Sequence, residues 1–314
     1  MAIPPDRAAL EALGKALREV LTVAGSNTTP TVIRRIRKGL AAHAISVEEA
    51  RAETDPIRMP RTTFDPSDPK TIGRMVSIAL LAQPLMPLAN VVPYYGSGVY
   101  AIYYKGLHPL YTGISGSETP IYVGKADPRN NDASNSREQG DKLTARLLEH
   151  ARTIITVEAY ADKLPSSLAP IRLGDFFCRR LVCATNAQLV TEKHLIRTFW
   201  PVWNSETKAC WGMSKHGDDP ETRKNKRSPW DVVHPGRPWA LDENLIDSLT
   251  LEQIAARIKK TLTKVPPRLN HAALLEEMLA AFRQNEVASV ESDEPPVGDN
   301  AAGPQPDEAG GVEE

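Results

Sequence analysis

Two short stretches of the sequence each place a tyrosine beside a glycine, "GVY" at 98–100 and "YVG" at 122–124. The first lies in "SGVYAIYY", whose alternation predicts a strand over 98–104, and the second lies in a predicted strand over 120–124. If the two strands pair as a hairpin with a long loop, Tyr100 and Tyr122 come together. Tyrosine also packs well in strands for structural reasons, so neither residue indicates a site by itself.

A cation and a histidine follow on a predicted helix over 140–153, in "KLTARLLEHARTI". Arg146 and His150 are four residues apart and therefore share one face. Leu143 and Leu147 lie on or beside that face, so the arginine is expected to be partly buried. Such a cation needs a partner, either a carboxylate in a salt bridge or a bound phosphate.

A single acid lies on the next predicted helix, over 186–199. Glu192 falls on the same face as Leu189, Ile196 and Phe199, and a carboxylate there is costly unless it is paired or binds a metal. A salt bridge to Arg146 is one interpretation. Asn204 follows in "PVWN", where the helix has ended.

Two phenols, an arginine, a histidine, a carboxylate and an amide are the groups that phosphodiester cleavage needs. A hard cation such as Mg²⁺, bound by a carboxylate and water, offsets negative charge on the phosphate. A fixed cation grips the phosphate oxygens, and another group orients and deprotonates a water molecule. One carboxylate indicates one metal ion.

The elements that must position these residues predict an α+β fold. A small sheet flanked by helices is expected in the centre, from a helix over 71–83, the two tyrosine strands, the two helices already described, and a strand over 175–184. The chain is expected to begin with a helix over 5–24 and a second from Pro30. Farther along, Ser46 and Glu49 form a capping-box pattern.

Helical extensions are also predicted at the C-terminal end. Helices are expected over 250–262, opened by Thr250, and over 270–284, opened by Asn270. Beyond them, residues 286–314 hold nine acidic residues and no Lys or Arg. This tail is expected to be disordered because it is acidic and rich in Pro, Gly and Ala.

The composition favours a polyanionic partner. The net charge is -1, from 38 basic and 39 acidic residues. Without the nine acids of the tail, 38 basic residues face 30 acidic ones, so the remainder carries about +8. The three cysteines form no CxxC pair and the N-terminus has no apolar signal segment, so a cytoplasmic protein is expected. The apolar run at 75–92 is interrupted by prolines and predicts a packed helix and turn, not a membrane span.

The ordered set of motifs resembles the GIY-YIG nuclease family. The tripeptides "GVY" and "YVG" carry Val where the family pattern has Ile, and an arginine, a glutamate and an asparagine follow in the family order. From about residue 60 to 240, "PIYVGKADP", Arg-x-x-x-His and "SPWDVVHPGRPWA" resemble the type II restriction branch. That branch includes enzymes that cut CCGCGG.

The resemblance implies a catalytic role for each of these residues. Tyr100 would orient or deprotonate the attacking water, His150 would bond that phenol, and Tyr122 would hold phosphate or water. Arg146 would grip the scissile phosphate, Glu192 would bind the Mg²⁺ ion, and Asn204 would brace the site. Lys125 would touch phosphate or lower the pKa of a nearby phenol, although a structural surface lysine is an equal interpretation. The two glycines would let phosphate and water approach the backbone.

A basic segment over about 205–238 follows Asn204 directly and contains several tryptophans. On this resemblance it is expected to contact bases and phosphates of DNA. A solvated basic loop is the alternative for each residue. The candidate DNA-binding residues are Lys208, Lys215, Arg223, Lys224, Lys226 and Arg227.

The resulting hypothesis is a Mg²⁺-dependent type II restriction endonuclease. A palindromic site favours a homodimer, with the N-terminal helices or the loop 105–119 as contact, and a methyltransferase encoded nearby. The alternatives are a GIY-YIG repair or mobile-element endonuclease, and a non-catalytic DNA-binding protein. The predicted division is an N-terminal helical arm (1–59), a nuclease domain (60–240), C-terminal helices (241–285) and the acidic tail (286–314).

Overall fold

The computed structural model describes residues 4–25, 28–54, 57, 63–184, 186–213 and 226–283. The predicted acidic tail lies outside these residues. The chain divides into two compact units, residues 1–63 and 64–314.

The first unit consists of two helices, α1 (Pro5–Gly25) and α2 (Pro30–Thr54). Helix α2 runs without a break through Ser46, so the predicted capping box there is wrong, since a capping residue must have non-helical backbone. No residue of either helix is buried among those described. The side chains of Leu10 and Leu21 are 69% and 64% exposed, which leaves apolar surface without cover.

The second unit is built around a four-stranded antiparallel sheet. Its strands are β1 (Met86–Pro87), β2 (Gly98–Tyr104), β3 (Tyr122–Ala126) and β4 (Phe176–Val182), in the order β1-β4-β2-β3. The two tyrosine strands therefore pair directly, as the sequence predicts. Strand β3 starts two residues later than predicted; Pro120 has no N–H to donate, whereas the Ile121 N–H still bonds the Ile102 carbonyl oxygen.

Both faces of the central strand are buried, and the alternation of its side chains decides which residues face which layer. One face carries Tyr100 and packs against helix α5 (Lys142–Glu158) through Leu147. The other carries Val99 and packs against helices α3 (Pro69–Leu81) and α6 (Ala187–Phe199). The catalytic candidates on the α5 face are thus held by a strand that cannot shift without opening two cores.

Helices α3 and α6 differ from the sequence prediction in ways that concern their caps and faces. Helix α3 begins earlier than expected because the Asp68 side chain accepts a hydrogen bond from the Thr71 N–H at 2.8 Å and caps the helix. On α6, Leu189 is 42% exposed, so it is not part of the apolar face. That face is formed by Leu195, Ile196 and Phe199.

The loop 105–119 folds back into its own domain around the buried side chain of Tyr111. The Tyr111 hydroxyl accepts a hydrogen bond from the Trp203 indole N–H at 2.9 Å and bonds Nε2 of His234 at 2.7 Å. The His108 ring stacks on Tyr111 with the ring centroids 4.8 Å apart. These contacts tie the loop to the segment that follows α6 and to the segment near His234.

A buried ion pair holds the two sides of the basic segment together. The Arg237 guanidinium donates to both carboxylate oxygens of Asp231, at 2.6 and 2.7 Å, and to the carbonyl oxygens of Gly212 and Met213. Asp231 lies on the short helix α7 (Pro229–Val233), preceded by β5 (Lys226–Arg227). The stretch before residue 214 is thereby fixed to the stretch after residue 225.

The last elements of the described part are strand β6 (Ile246–Asp247) and helices α8 (Leu251–Lys264) and α9 (His271–Ala280). A single-turn helix, α4 (Ser136–Gln139), lies between β3 and α5. Thr250 and Gln253 form the predicted capping box. Asn270 caps α9 by accepting a hydrogen bond from the Ala273 N–H. None of the helices in the described part combines the length and the hydropathy needed to cross a membrane.

Replacing Asp231 with alanine is expected to destabilise the second unit by about 3–5 kcal/mol, because it removes the carboxylate that neutralises the buried Arg237 charge. The measurement is the free energy of unfolding from urea denaturation. The control is Glu277→Ala, which removes the more exposed ion pair with Arg268 and should cost no more than about 1 kcal/mol. Equal small effects of the two substitutions would contradict the role of Asp231.

Candidate active site

Three of the predicted site residues meet on the α5 face of the sheet. The Tyr100 hydroxyl lies 2.7 Å from Nε2 of His150. The Tyr122 ring centroid is 6.2 Å from that of Tyr100 and 5.0 Å from that of His150. Tyr100 and His150 are buried, and Tyr122 is partly exposed. Tyr122 is therefore the phenol of this group that lies nearer to solvent.

The glycine of "YVG" is required by Tyr100 itself. Tyr100 and Gly124 are directly paired across β2 and β3, and a Cβ added to Gly124 would overlap the Tyr100 hydroxyl. At Gly98, an added Cβ would overlap the carbonyl oxygen of Leu181 on the neighbouring strand. The expectation that the glycines open the backbone to phosphate and water is therefore wrong: protein atoms already fill both spaces.

The phenol–imidazole pair is neutral. Burial, and to a smaller extent the nearby Arg146 charge, lowers the pKa of His150 to about 3. Burial raises the pKa of Tyr100 well above its ordinary value and that of Tyr122 to about 12, in both cases against the opposing Arg146 charge. At neutral pH both phenols keep their protons and His150 stays uncharged, so one ring nitrogen of His150 can accept a hydrogen bond.

Arg146 lies on the same helix face as His150, as predicted, and is half-buried. Its Nη1 forms an ion pair with the Glu149 carboxylate at 2.7 Å, one turn along the helix. A carboxylate three residues away is thus a partner that the sequence analysis did not consider. The charge of Arg146 also acts on both phenols.

Glu192 faces β3 from helix α6. Burial raises the pKa of Glu192 to about 7, opposed by the Lys125 charge and by a hydrogen bond from the Lys125 backbone N–H. The carboxylates of Glu206 and Asp127 raise it further. The side chain of Lys125 forms an ion pair with Asp127, so this lysine contributes positive charge beside Glu192 at the end of the strand.

This group of acids has the composition of a site for a hard cation. Within the described residues, no three His, Cys, Asp or Glu side chains are arranged to hold a metal ion by themselves. Mg²⁺ keeps most of its water ligands and needs only one or two carboxylates from a protein. Glu192 fits that requirement, because a bound cation would offset the mutual repulsion of Glu192, Asp127 and Glu206.

Asn204 closes the open edge of the sheet. Its side-chain Oδ1 accepts a hydrogen bond from the Val123 N–H at 2.9 Å, and its Nδ2 donates to the Val123 carbonyl oxygen at 2.8 Å. The Trp203 N–H bonds the carbonyl oxygen of Ile121. One amide side chain thus pairs with both backbone groups of the residue between Tyr122 and Gly124.

The candidate DNA-binding residues that the structure describes differ in whether their side chains already make contacts within the domain. Arg227 donates to the carbonyl oxygens of Ala240 and Asp242 and forms an ion pair with Asp247. Its charge is therefore engaged within the domain. The Lys208 side chain lies over the Trp211 ring, with Nζ 5.8 Å from the ring centroid. Lys226 lies on β5, and Lys215, Arg223 and Lys224 fall outside the described residues.

Sequence reasoning missed the two carboxylates that surround Glu192. Asp127 follows Lys125 by two residues at the strand end, and Glu206 follows Asn204 by two. Each is an acid placed two residues after a predicted site residue, and that proximity was the available signal. It was weak because exposed acids near strand and helix ends are common.

Residues 92–262 match the family model described as the Eco29kI GIY-YIG domain. A comparison with curated proteins gave no match. The match covers more than half of the chain and confirms the predicted nuclease family and α+β fold. Nucleases of the GIY-YIG type generally use a divalent metal. The chain belongs to the Eco29kI GIY-YIG family of type II restriction endonucleases, which cleave DNA.

Proposed function

We propose that this chain hydrolyses both strands of DNA at CCGCGG, as a homodimer with one Mg²⁺ per active site. The observation that carries the proposal is the placement of the Tyr100–His150 pair, Tyr122, Arg146 and Glu192 around one end of β3. The recognition sequence is carried over from Eco29kI, which cuts CCGCGG.

In this proposal the substrate phosphate lies between Arg146 and the partly exposed Tyr122. Arg146 is held in place by Glu149, and its guanidinium charge would attract the non-bridging oxygens. The Tyr122 hydroxyl donates a hydrogen bond to the same phosphate or to the attacking water. Both groups act without changing charge, since the pKa of Tyr122 is raised to about 12 by burial.

Tyr100 and His150 orient the attacking water. The Tyr100 hydroxyl donates along the 2.7 Å hydrogen bond to Nε2 of His150, which leaves the lone pairs of the Tyr100 oxygen for the water. Because the pKa of His150 is lowered to about 3, the imidazole stays uncharged and acts as a hydrogen-bond acceptor. Glu192 would hold the Mg²⁺ ion, whose charge, when bound, offsets negative charge on the phosphate. Lys125 keeps Glu192 toward its charged form, and Asn204 holds the strand.

The expected activity is tested by digesting sequenced plasmid DNA with the purified protein and Mg²⁺. Discrete fragments with ends at CCGCGG are expected from the wild type. Glu192→Gln should lower the cleavage rate by at least about a hundredfold, because the amide binds a hard cation poorly, while DNA binding persists. Glu243→Gln, at an exposed acid elsewhere in the domain, is the control and should cut normally.

Other outcomes of the digestion favour the alternative functions. Random nicking would favour a repair or mobile-element nuclease, and DNA that is bound but uncut would favour a non-catalytic protein. Discrete cutting at another sequence would support the restriction endonuclease activity and show that CCGCGG is not its recognition sequence. A chelator should abolish cleavage at CCGCGG by the proposed restriction enzyme.

Tyr122→Phe is expected to lower the cleavage rate about a hundredfold, because it removes one hydroxyl donor from the reacting phosphate or water. DNA binding and the unfolding temperature should change little, since the ring remains packed. Tyr160→Phe, at a tyrosine outside the site, is the matched control. Cleavage at the wild-type rate by Tyr122→Phe would make Tyr122 a packing residue only.

The dimer is supported by the exposed leucines of α1 and the exposed Ile33, Ile45 and Val47 of α2. The loop 105–119 is the poorer contact surface, because Tyr111 and Ile114 are buried in the loop's own domain and Leu107 is its one exposed large apolar side chain. Sedimentation velocity of the purified chain is expected to give the mass of a dimer. The double substitution Leu10→Gln, Leu21→Gln should shift it toward the monomer, and an unchanged mass would exclude these helices as the contact.

Two further parts of the proposal concern the cell. A DNA methyltransferase specific for the same site is expected to be encoded nearby, because the host genome must be protected from cleavage. A cytoplasmic location is supported by three free, buried cysteines, which suit a reducing compartment. Sequencing the flanking genes tests the first expectation, and fractionation of cells tests the second.

A further inference from the structure

A polar cavity of about 340 Å³ lies at the end of the sheet next to the candidate active site. Its walls include Ser97, Asn131, Asp132, Gln139 and Asn186. The walls come from the residues before β2, the loop after β3, the short helix α4 and the turn before α6. None of these wall residues has a role in the proposed mechanism.

The cavity is close to the catalytic groups along two elements. Ser97 precedes Tyr100 by three residues of extended chain, about 10 Å. Asn186 precedes Glu192 by six residues at the start of α6, about 9 Å along a helix. Neighbouring base pairs are about 3.4 Å apart, so the cavity is within about three base pairs of a phosphate held at the site.

The chemistry of the cavity suits bases better than phosphates. The wall residues are amides, a hydroxyl, an aspartate and small apolar residues, and they include no Lys or Arg. Phosphate contacts are made mainly by cations, whereas Asn and Asp side chains read the edges of bases. An aspartate accepts hydrogen bonds only and therefore favours the exocyclic amino group of cytosine.

The side chains at the rim are available for such contacts. Gln139 forms the floor, since its Oε1 accepts from the Ser97 N–H at 2.9 Å and its Nε2 donates to the Cys183 carbonyl at 2.8 Å. By contrast, Asn131 and Asp132 are exposed. In the described part of the chain, neither of their side chains takes part in a hydrogen bond or ion pair.

Hydrogen bonding at this edge is also incomplete in the buried layer beneath. Gln188 is 1% exposed, and its Oε1 has no hydrogen-bond partner among the described residues. Its Nε2 lies 3.5 Å from oxygen atoms of both Asp127 and Asn186. A buried acceptor left unsatisfied is uncommon in folded proteins, and this one lies beside the wall residue Asn186.

We propose that this cavity is a base-reading site, in which Asp132 accepts a hydrogen bond from a cytosine amino group and Asn131 contacts the same or the adjacent base pair. The inference rests on the proposed function, because it takes DNA as the substrate. It assigns part of the sequence specificity to a loop that follows the catalytic strand directly, apart from the basic segment 205–238.

The test uses cleavage of duplexes in which each cytosine of the cleaved site is replaced, one at a time, by pyrimidin-2-one, which lacks the amino group. Wild-type protein is expected to lose roughly ten- to a hundredfold in cleavage rate at the position that Asp132 reads. Asp132→Ala should cut the unmodified site correspondingly slowly and show no further loss at that one position. The loss at every other position should remain.

The matched control is Asp162→Asn, an exposed aspartate that does not line the cavity and that should behave as wild type. Asn131→Ala is the second variant and should lose discrimination at the same or the adjacent base pair. Binding of non-specific DNA at low salt and the unfolding temperature should be unchanged in all three variants.

The inference would be overturned if the Asp132→Ala and Asn131→Ala variants lost cleavage rate at every pyrimidin-2-one position as the wild type does. Loss of non-specific binding together with cleavage would also overturn it, because that result indicates a phosphate contact or a folding defect. If the wild type itself cuts no DNA, the proposed function fails, and this inference fails with it. That outcome is recognised before any variant is made.

Discussion

The structure depends on one close approach, that of the Tyr100 hydroxyl to the backbone at Gly124. The two residues are paired across β2 and β3, and there is no room for a Cβ between them. The phenol can therefore lie across the neighbouring strand and reach His150 on the helix beyond. Because β2 is buried on both faces, the position of Tyr100 is fixed by two cores, and the other site residues are arranged around a phenol that cannot move far.

The edge of the sheet beside this contact is held by a residue from far along the chain. Asn204 pairs with both backbone groups of Val123, 81 residues earlier. An edge strand without such a partner would present free N–H and C=O groups and would tend to fray or pair with another chain. The asparagine therefore provides hydrogen bonds on the open side of β3, which carries Tyr122 and Gly124. No further strand is needed to pair with these backbone groups.

Much of the fold and of the site could be predicted from the sequence because the signals were local. The alternation in 98–104 and the four-residue spacing of Arg146 and His150 follow from strand and helix periods. The partners of charged groups could not be predicted in the same way. Glu149 beside Arg146, and Asp127 and Glu206 beside Glu192, depend on which rotamers and turns bring exposed acids inward. The purpose of Gly124 was also misjudged, because strand register decides which atom fills the space above a glycine.

The domain contains a second phenol–imidazole pair, Tyr111 with His234, at the same 2.7 Å separation as Tyr100 with His150. Burial lowers the pKa of His234 well below its ordinary value, as it does for His150. The Tyr111 pair is enclosed by Trp203 and Trp230, and the Tyr111 hydroxyl also bonds the Trp203 indole and the Cys210 thiol. The molecule thus carries its own internal standard. In a histidine NMR spectrum recorded during DNA titration, His234 reports the behaviour of a structural pair, and a shift confined to His150 isolates the contribution of the substrate.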